Sequence, residues 1–171
     1  VDMGISKFAT LSTGEIFAPV NSLRVKQAKL ARYQRAMSRK TKFSKNWLKA
    51  KSKVAKLHST ITNIRKDYLH KTSTAISKNH AIIAIEALKV ANMSKSAKGS
   101  SEKHGRNVKA KSGLNKAILD QGWFEFRRQL AYKQAWLGGQ VIAVPPQYTS
   151  QRCACCGHTA KANRPAQSKF E

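Results

Sequence analysis

Apolar positions change their period several times along this chain, and each change predicts an element. The first nineteen residues alternate: Val1-Asp2-Met3-Gly4 reads as the tail of a buried strand reaching a glycine turn. Residues 7–12 and 15–18 flank Thr13-Gly14, a hairpin closed by Pro19. Leu23, Leu30, Tyr33 and Met37 then form one helical stripe. Val54, Leu57, Ile61, Ile64 and Tyr68 recur at alternating three and four residues, the spacing of a helix–helix seam. A break near Lys42-Phe43-Ser44 lets two helices run antiparallel, so that the stripes pack on each other.

Ala81-Ile82-Ile83-Ala84-Ile85 is too short for a helix and predicts a strand buried on both faces, with Glu86 at its C-terminal end. Residues 94–113 are rich in Ser, Gly and Lys without periodicity and predict a mobile basic loop. Helical spacing returns from Leu114 to Trp136 and stops at Gly138-Gly139; residues 140–144 form a last strand, ended by Pro145-Pro146. The expected fold class is α/β: a mixed sheet with a hairpin on one side and a parallel remainder. A length of 171 residues allows one sizeable core with a small appendage.

Charge changes the picture from fold to partner. Lys and Arg number 33 against 8 Asp and Glu, a formal net charge of +25, and no acidic residue occurs between Ile16 and Lys66. An ordinary solvated face mixes both signs, so this pattern points to a polyanion, nucleic acid ahead of an anionic membrane surface. Arg32, Arg35, Arg39, Lys40, Lys42, Lys45 and Lys49 are expected to face phosphates. Phe43 and Trp47 among them are expected to pack into a core, with stacking on bases as the alternative. No apolar run has the length of a transmembrane helix and no signal pattern opens the chain, which starts on Val1 and is expected to be cut at the front.

Two sets of residues carry candidate chemistry. The scarce carboxylates include Asp2 and Glu86, each at the end of a predicted strand. In a sheet with parallel central strands those ends can lie side by side and bridge divalent ions for phosphodiester cleavage. A turn residue and a helix cap explain the two positions equally well when they are taken alone. The second set is Cys153-Ala154-Cys155-Cys156-Gly157-His158, which holds one Cys-x-x-Cys-Gly knuckle. Clustered cysteines favour metal binding in a reducing cytosol over a disulfide framework. Cys153 and Cys156 supply two of the four ligands of a structural zinc, with Cys155 expected as a bystander and His158 as a surface residue. Weakly held zinc and a disordered tail from Thr159 to Glu171 are therefore expected.

Four segments in order resemble one family. They are Val1-Asp2-Met3-Gly4-Ile5 with residues 7–12, the run from Ile85-Glu86-Ala87-Leu88 to Met93, Leu119-Asp120-Gln121-Gly122-Trp123-Phe124-Glu125-Phe126, and residues 145–158. Together they are similar to the C-terminal portion of the TnpB (OrfB-type) transposon-encoded proteins. The resemblance implies an RNase H-like nuclease domain of the RuvC form over 1–146, a basic helical insertion over about 22–78, and an incomplete zinc ribbon over 147–171. It also implies magnesium held by Asp2, Glu86 and a third Asp beyond the second half of the ribbon; Glu171, Asp120 and Glu125 do not match that position. Its members act as RNA-guided DNA endonucleases, so DNA and guide RNA are the implied partners and the prokaryotic cytoplasm the implied location. Cleavage by this stretch alone is expected to be impaired. The competing expectation is a non-catalytic basic module, a degenerate transposase or an RNA-binding protein, which would need neither carboxylate.

Overall fold

In the computed structural model, residues 1–148, 151–153 and 155–163 are described. Three short strands open the chain: β1 (Asp2–Met3), β2 (Ala9–Thr10) and β3 (Ile16–Phe17). They form an antiparallel sheet in the order β1-β2-β3, with Ala9 opposite Phe17 and Thr10 opposite Ile16. The expected hairpin is present, and Gly14 turns it at φ +88°, a conformation that costs glycine least.

Helices α1 (Ser22–Ser38) and α2 (Lys45–Asn79) follow as a long pair. Leu30, Leu57 and Ile61 form their private core, flanked by Leu23, Tyr33 and Val54, which is the predicted seam. The break falls where expected. Phe43 takes a left-handed φ of +67°, and the Ser44 hydroxyl accepts the Trp47 amide at 3.2 Å to start α2.

Strand β4 (Ile82–Glu86) pairs in parallel with β5 (Gln140–Val144), from Ile82 opposite Gln140 to Glu86 opposite Val144. They form a second sheet, so the single mixed sheet expected is two small sheets among the described residues. Only one face of β4 is covered: Ile83 and Ile85 are buried, whereas Ile82 is 65% exposed. The expectation of a strand buried on both faces is therefore corrected. An all-apolar run does not reveal which face its helices cover, and here α2 and the helix before β5 pack on a single side. The main core joins Phe8, Leu69, Ile85, Phe126 and Leu130. Phe8 meets Tyr68 and Phe126 edge to face, at 5.1 and 4.9 Å between ring centres.

Between β4 and β5 lie α3 (Val90–Met93), α4 (Val108–Gln121) and α5 (Trp123–Trp136). Two expectations fail here. The basic loop ends at Asn107, not at 113, because α4 begins there and Lys111 and Asn115 tie it back to the Met93 and Ser94 carbonyls at 2.6 and 2.8 Å. The single helix expected from Leu114 is two, broken at Gly122, whose φ is +72°. A Cβ there would sit 3.1 Å from the Leu69 side chain, so glycine permits both the turn and the close approach to α2.

Asp120 is 3% exposed and acts across the fold. Its carboxylate accepts the Ser22 hydroxyl at 2.9 Å, the Leu23 amide at 2.9 Å and the Arg24 amide at 3.3 Å. The N-terminus of α1, which has no side-chain cap of its own, is thus capped by α4. Arg65 of α2 adds an ion pair at 3.6 Å. One carboxylate therefore fastens the basic helix pair to the body.

A polar ladder does the same for α5. Arg128 grips Glu125 with two bonds of 2.8 Å, Gln129 donates to Glu125 at 3.0 Å, and Ser73 of α2 donates to Gln129 at 3.0 Å. The Arg128 bonds hold the Glu125 carboxyl at about 2, against an ordinary 4.5. A depressed carboxylate stabilises the fold above its unfolded pKa and loses that contribution as pH falls through the folded one. Unfolding midpoints in urea should accordingly decline between about pH 4.5 and 2. Arg128→Ala should raise the Glu125 pKa, read by NMR titration; an unmoved titration contradicts the ladder.

Candidate nuclease centre and nucleic-acid face

β1 lies beside β4. The Val1 nitrogen donates to the Ala84 carbonyl at 2.6 Å, and two residues further on the Met3 amide donates to the Glu86 carboxylate. The two strands thus advance in the same direction, and Asp2 at the start of β1 comes near Glu86 at the end of β4. Burial raises the Glu86 pKa, the Asp2 charge raises it further, and the Met3 amide opposes both. Two carboxylates brought near each other repel, and a cation between them relieves the repulsion. Asp2 is exposed and Glu86 half-buried, so ions and phosphates from solvent can reach both.

These two carboxylates fit magnesium, which keeps several waters and commonly takes only one or two protein carboxylates plus substrate phosphates. Among the described residues no group of three or more His, Cys, Asp or Glu comes together. Asp120 and Glu125 are committed elsewhere, to the α1 cap and to Arg128.

The knuckle is formed at the backbone. Gly157 takes φ +71° and donates to the Cys153 carbonyl at 3.0 Å, while the Cys153 amide donates to the His158 carbonyl at 2.8 Å. The amides of Cys156 and Cys155 point at the Cys153 sulfur and lower its pKa, with the Cys156 side chain adding to the effect. Cys155 and His158 are exposed. The described residues bring two thiols together and no third donor, so they do not make up a four-ligand zinc site. The expected disordered tail is corrected over its first residues. Thr159 bridges Arg152, and a short 3-10 helix (Lys161–Asn163) is tied to the Gln151 carbonyl by Asn163 at 2.8 Å. Residues 164–171 lie outside the described residues.

The seven cations chosen from sequence all lie on the α1–α2 pair or the turn joining it, and all are exposed. Among the described residues none of them has a carboxylate partner. Arg32, Lys40 and Lys49 line one groove of about 580 Å³ between the helices, where Lys53, which sequence reasoning missed, joins them. Lys53 lies four residues after Lys49, so helical spacing was the available signal. Phe43 is 71% exposed, which corrects its expected place in a core. It meets the half-buried Trp47 edge to face at 5.5 Å, with Lys42 and Lys51 over the two rings.

Residues 1–97 match the OrfB_IS605 family, described as "Probable transposase". The chain belongs to this OrfB (TnpB-type) family. Residues 123–171 of this OrfB protein also match the "Cas12f1-like, TNB domain" family. It is 68% identical over 170 residues to the Escherichia coli K12 protein named "Putative RNA-guided DNA endonuclease InsQ", covering 99% of this chain and 42% of that protein. It is 38% identical over 158 residues to a "Putative RNA-guided DNA endonuclease" of Streptomyces pristinaespiralis, covering 92% of this chain and 36% of the relative. A stretch of 57 residues, 33% of this chain and 12% of the relative, is 37% identical to the Cas12f1 CRISPR-associated endodeoxyribonuclease of Syntrophomonas palmitatica. The chain thus spans less than half the length of these relatives. Among the described residues no helix is long and apolar enough to cross a membrane.

Proposed function

We propose that this OrfB chain is the metal-binding portion of an RNA-guided DNA endonuclease. It comprises an RNase H-like sheet of the RuvC form over 1–146, a basic helical insertion over about 22–78 that grips nucleic acid, and a zinc-ribbon segment over 147–171. The observation that carries the reading is the approach of Asp2, at the start of β1, to Glu86, at the end of the neighbouring β4. The antiparallel sheet β1-β2-β3 and the parallel pair β4-β5, with β1 beside β4, are the pieces from which the mixed sheet of that fold would be built. The relatives' names supply the substrate class, DNA selected by a guide RNA.

Asp2 and Glu86 would hold magnesium, which when bound supplies activated water and charge neutralisation for phosphodiester hydrolysis. The chain's own residues do the rest of the work. The Met3 amide favours the charged Glu86 carboxylate, while the contact of the Val1 nitrogen with the Ala84 carbonyl keeps β1 beside β4. The α1–α2 cations hold phosphates without reading sequence, which in this reading is left to guide pairing. Cys153 and Cys156 would contribute two zinc ligands. With two carboxylates brought together among the described residues, little or no cleavage is expected of the 171-residue chain alone.

Adding Mn²⁺ to the chain should broaden the NMR amide signals of Asp2, Met3 and Glu86 before others. Glu86→Gln should abolish that selectivity; uniform broadening in the unaltered chain would defeat the metal-site reading. The binding half has its own check. Each cation in contact with a single strand contributes about 0.7 to the slope of log affinity against log salt. Replacing Arg32, Lys40, Lys49 and Lys53 by Ala should therefore reduce that slope by about 3 in anisotropy titrations. An unchanged slope would move the phosphate contacts off this groove.

A further inference from the structure

Beside Glu86 the surface opens into a recess of about 420 Å³, lined among others by Lys89, Asn92, Trp123, Phe124 and Arg127. Its size falls in the ~300–1,000 Å³ range of ligand pockets. Phe124 is 77% exposed, whereas Trp123 and Phe126 on either side of it are buried in the core. An exposed ring between two buried aromatics contributes little to the fold. Arg127 stands one helical turn after Phe124 on the same flank of α5. It is exposed and has no carboxylate partner among the described residues, while its neighbour Arg128 is committed to Glu125. Lys89 and Asn92 are exposed on the opposite wall, offering a second cation and an amide that can pair with a base edge.

We propose that this recess binds one unpaired nucleotide of the strand whose phosphate lies at Asp2 and Glu86. The base stacks on Phe124, and Arg127 and Lys89 hold the adjoining phosphates. The proposal rests on the nuclease reading for its purpose, and on the recess alone for its ligand. Glu86 in the lining, with Asp2 near it, repels a phosphate backbone, so a strand brought there needs cations and an aromatic surface close by. Arg127, Lys89 and Phe124 supply both. An exposed ring favours a single strand, because a base stacks on it only when its face is free of the duplex.

The test uses the 171-residue chain and a single-stranded oligodeoxynucleotide containing 5-bromodeoxyuridine. Irradiation should crosslink it to the peptide containing Phe124, mapped by mass spectrometry. Phe124→Ala should remove that crosslink and weaken binding by about fivefold to a hundredfold, the range for loss of one stacked base. Phe124→Trp should restore affinity and Phe124→Leu should not. Arg127→Ala should lower the salt slope by about 0.7. Because Phe124 is exposed, circular dichroism should show each of its variants folded. Wild-type binding and crosslinking by Phe124→Ala, or equal rescue by Leu and Trp, overturns the recess. Neither result touches the carboxylate pair. Conversely, a Phe124-dependent crosslink alongside uniform Mn²⁺ broadening in the same chain supports the recess and defeats the metal-site reading.

Discussion

Asp120→Ala should lower the melting temperature by about 6–12 °C, for a loss of about 3 kcal/mol at 2–4 °C per kcal/mol in a domain of this size. The side chain is 3% exposed and accepts from a hydroxyl and two main-chain amides, with Arg65 beside it. Truncation leaves the first amides of α1 and the buried Ser22 hydroxyl without their acceptor, and removes a negative charge from a helix N-terminus. Asp120→Asn keeps an acceptor and should lose less. Asp67→Ala is the control: its pair with Lys71 lies on the surface, with side chains 62% and 75% exposed, and should cost less than about 1 kcal/mol. Thermal melts of the three variants check the order. Equal melting of Asp120→Ala and the unaltered chain would contradict the cap.

That cap also marks where sequence reading stopped. Asp120 and Ser22 lie 98 residues apart, and no local spacing connects an acid in α4 with the start of α1. Features set by neighbours in the chain were legible: Gly14 between two alternating runs, Ser44 before α2, and an acid at the end of the apolar run 81–85. The break at Gly122 was hidden because apolar spacing continues from Ile118 through Phe126, while the turn depends on contact with Leu69 of α2. The half-exposed β4 was hidden for a related reason, since an apolar run does not name the face left open. For the candidate site, the pairing of Asp2 with Glu86 was expected, because strand ends in a parallel arrangement converge. The recess beside them was not, because its walls come from α3 and α5, and Phe124 and Arg127 stood out only as part of a resembling segment.

The larger effect is expected at the carboxylates. In a protein supplying the remaining length of its relatives, Asp2→Ala or Glu86→Ala should slow magnesium-dependent cleavage by on the order of 10³-fold or more. Several kcal/mol of charge stabilisation depend on the bound ion, and each 1.36 kcal/mol is tenfold in rate. Binding of nucleic acid should change little, because the cations proposed to face phosphates lie on α1, α2 and the turn between them. Cleavage and binding thus separate the nuclease from a basic module that only binds, for which both substitutions would be silent.

The most direct measurement grafts this chain into its Escherichia coli relative. The 170-residue match at 68% identity allows a like-for-like exchange. Guide-dependent cleavage of DNA is then followed with magnesium, with the unexchanged relative as reference. The account predicts that the graft cuts, and that Asp2→Ala and Glu86→Ala each abolish cutting while guide and target still bind. A folded, RNA-loaded graft that does not cut where the reference does, or one that cuts despite both substitutions, would contradict it.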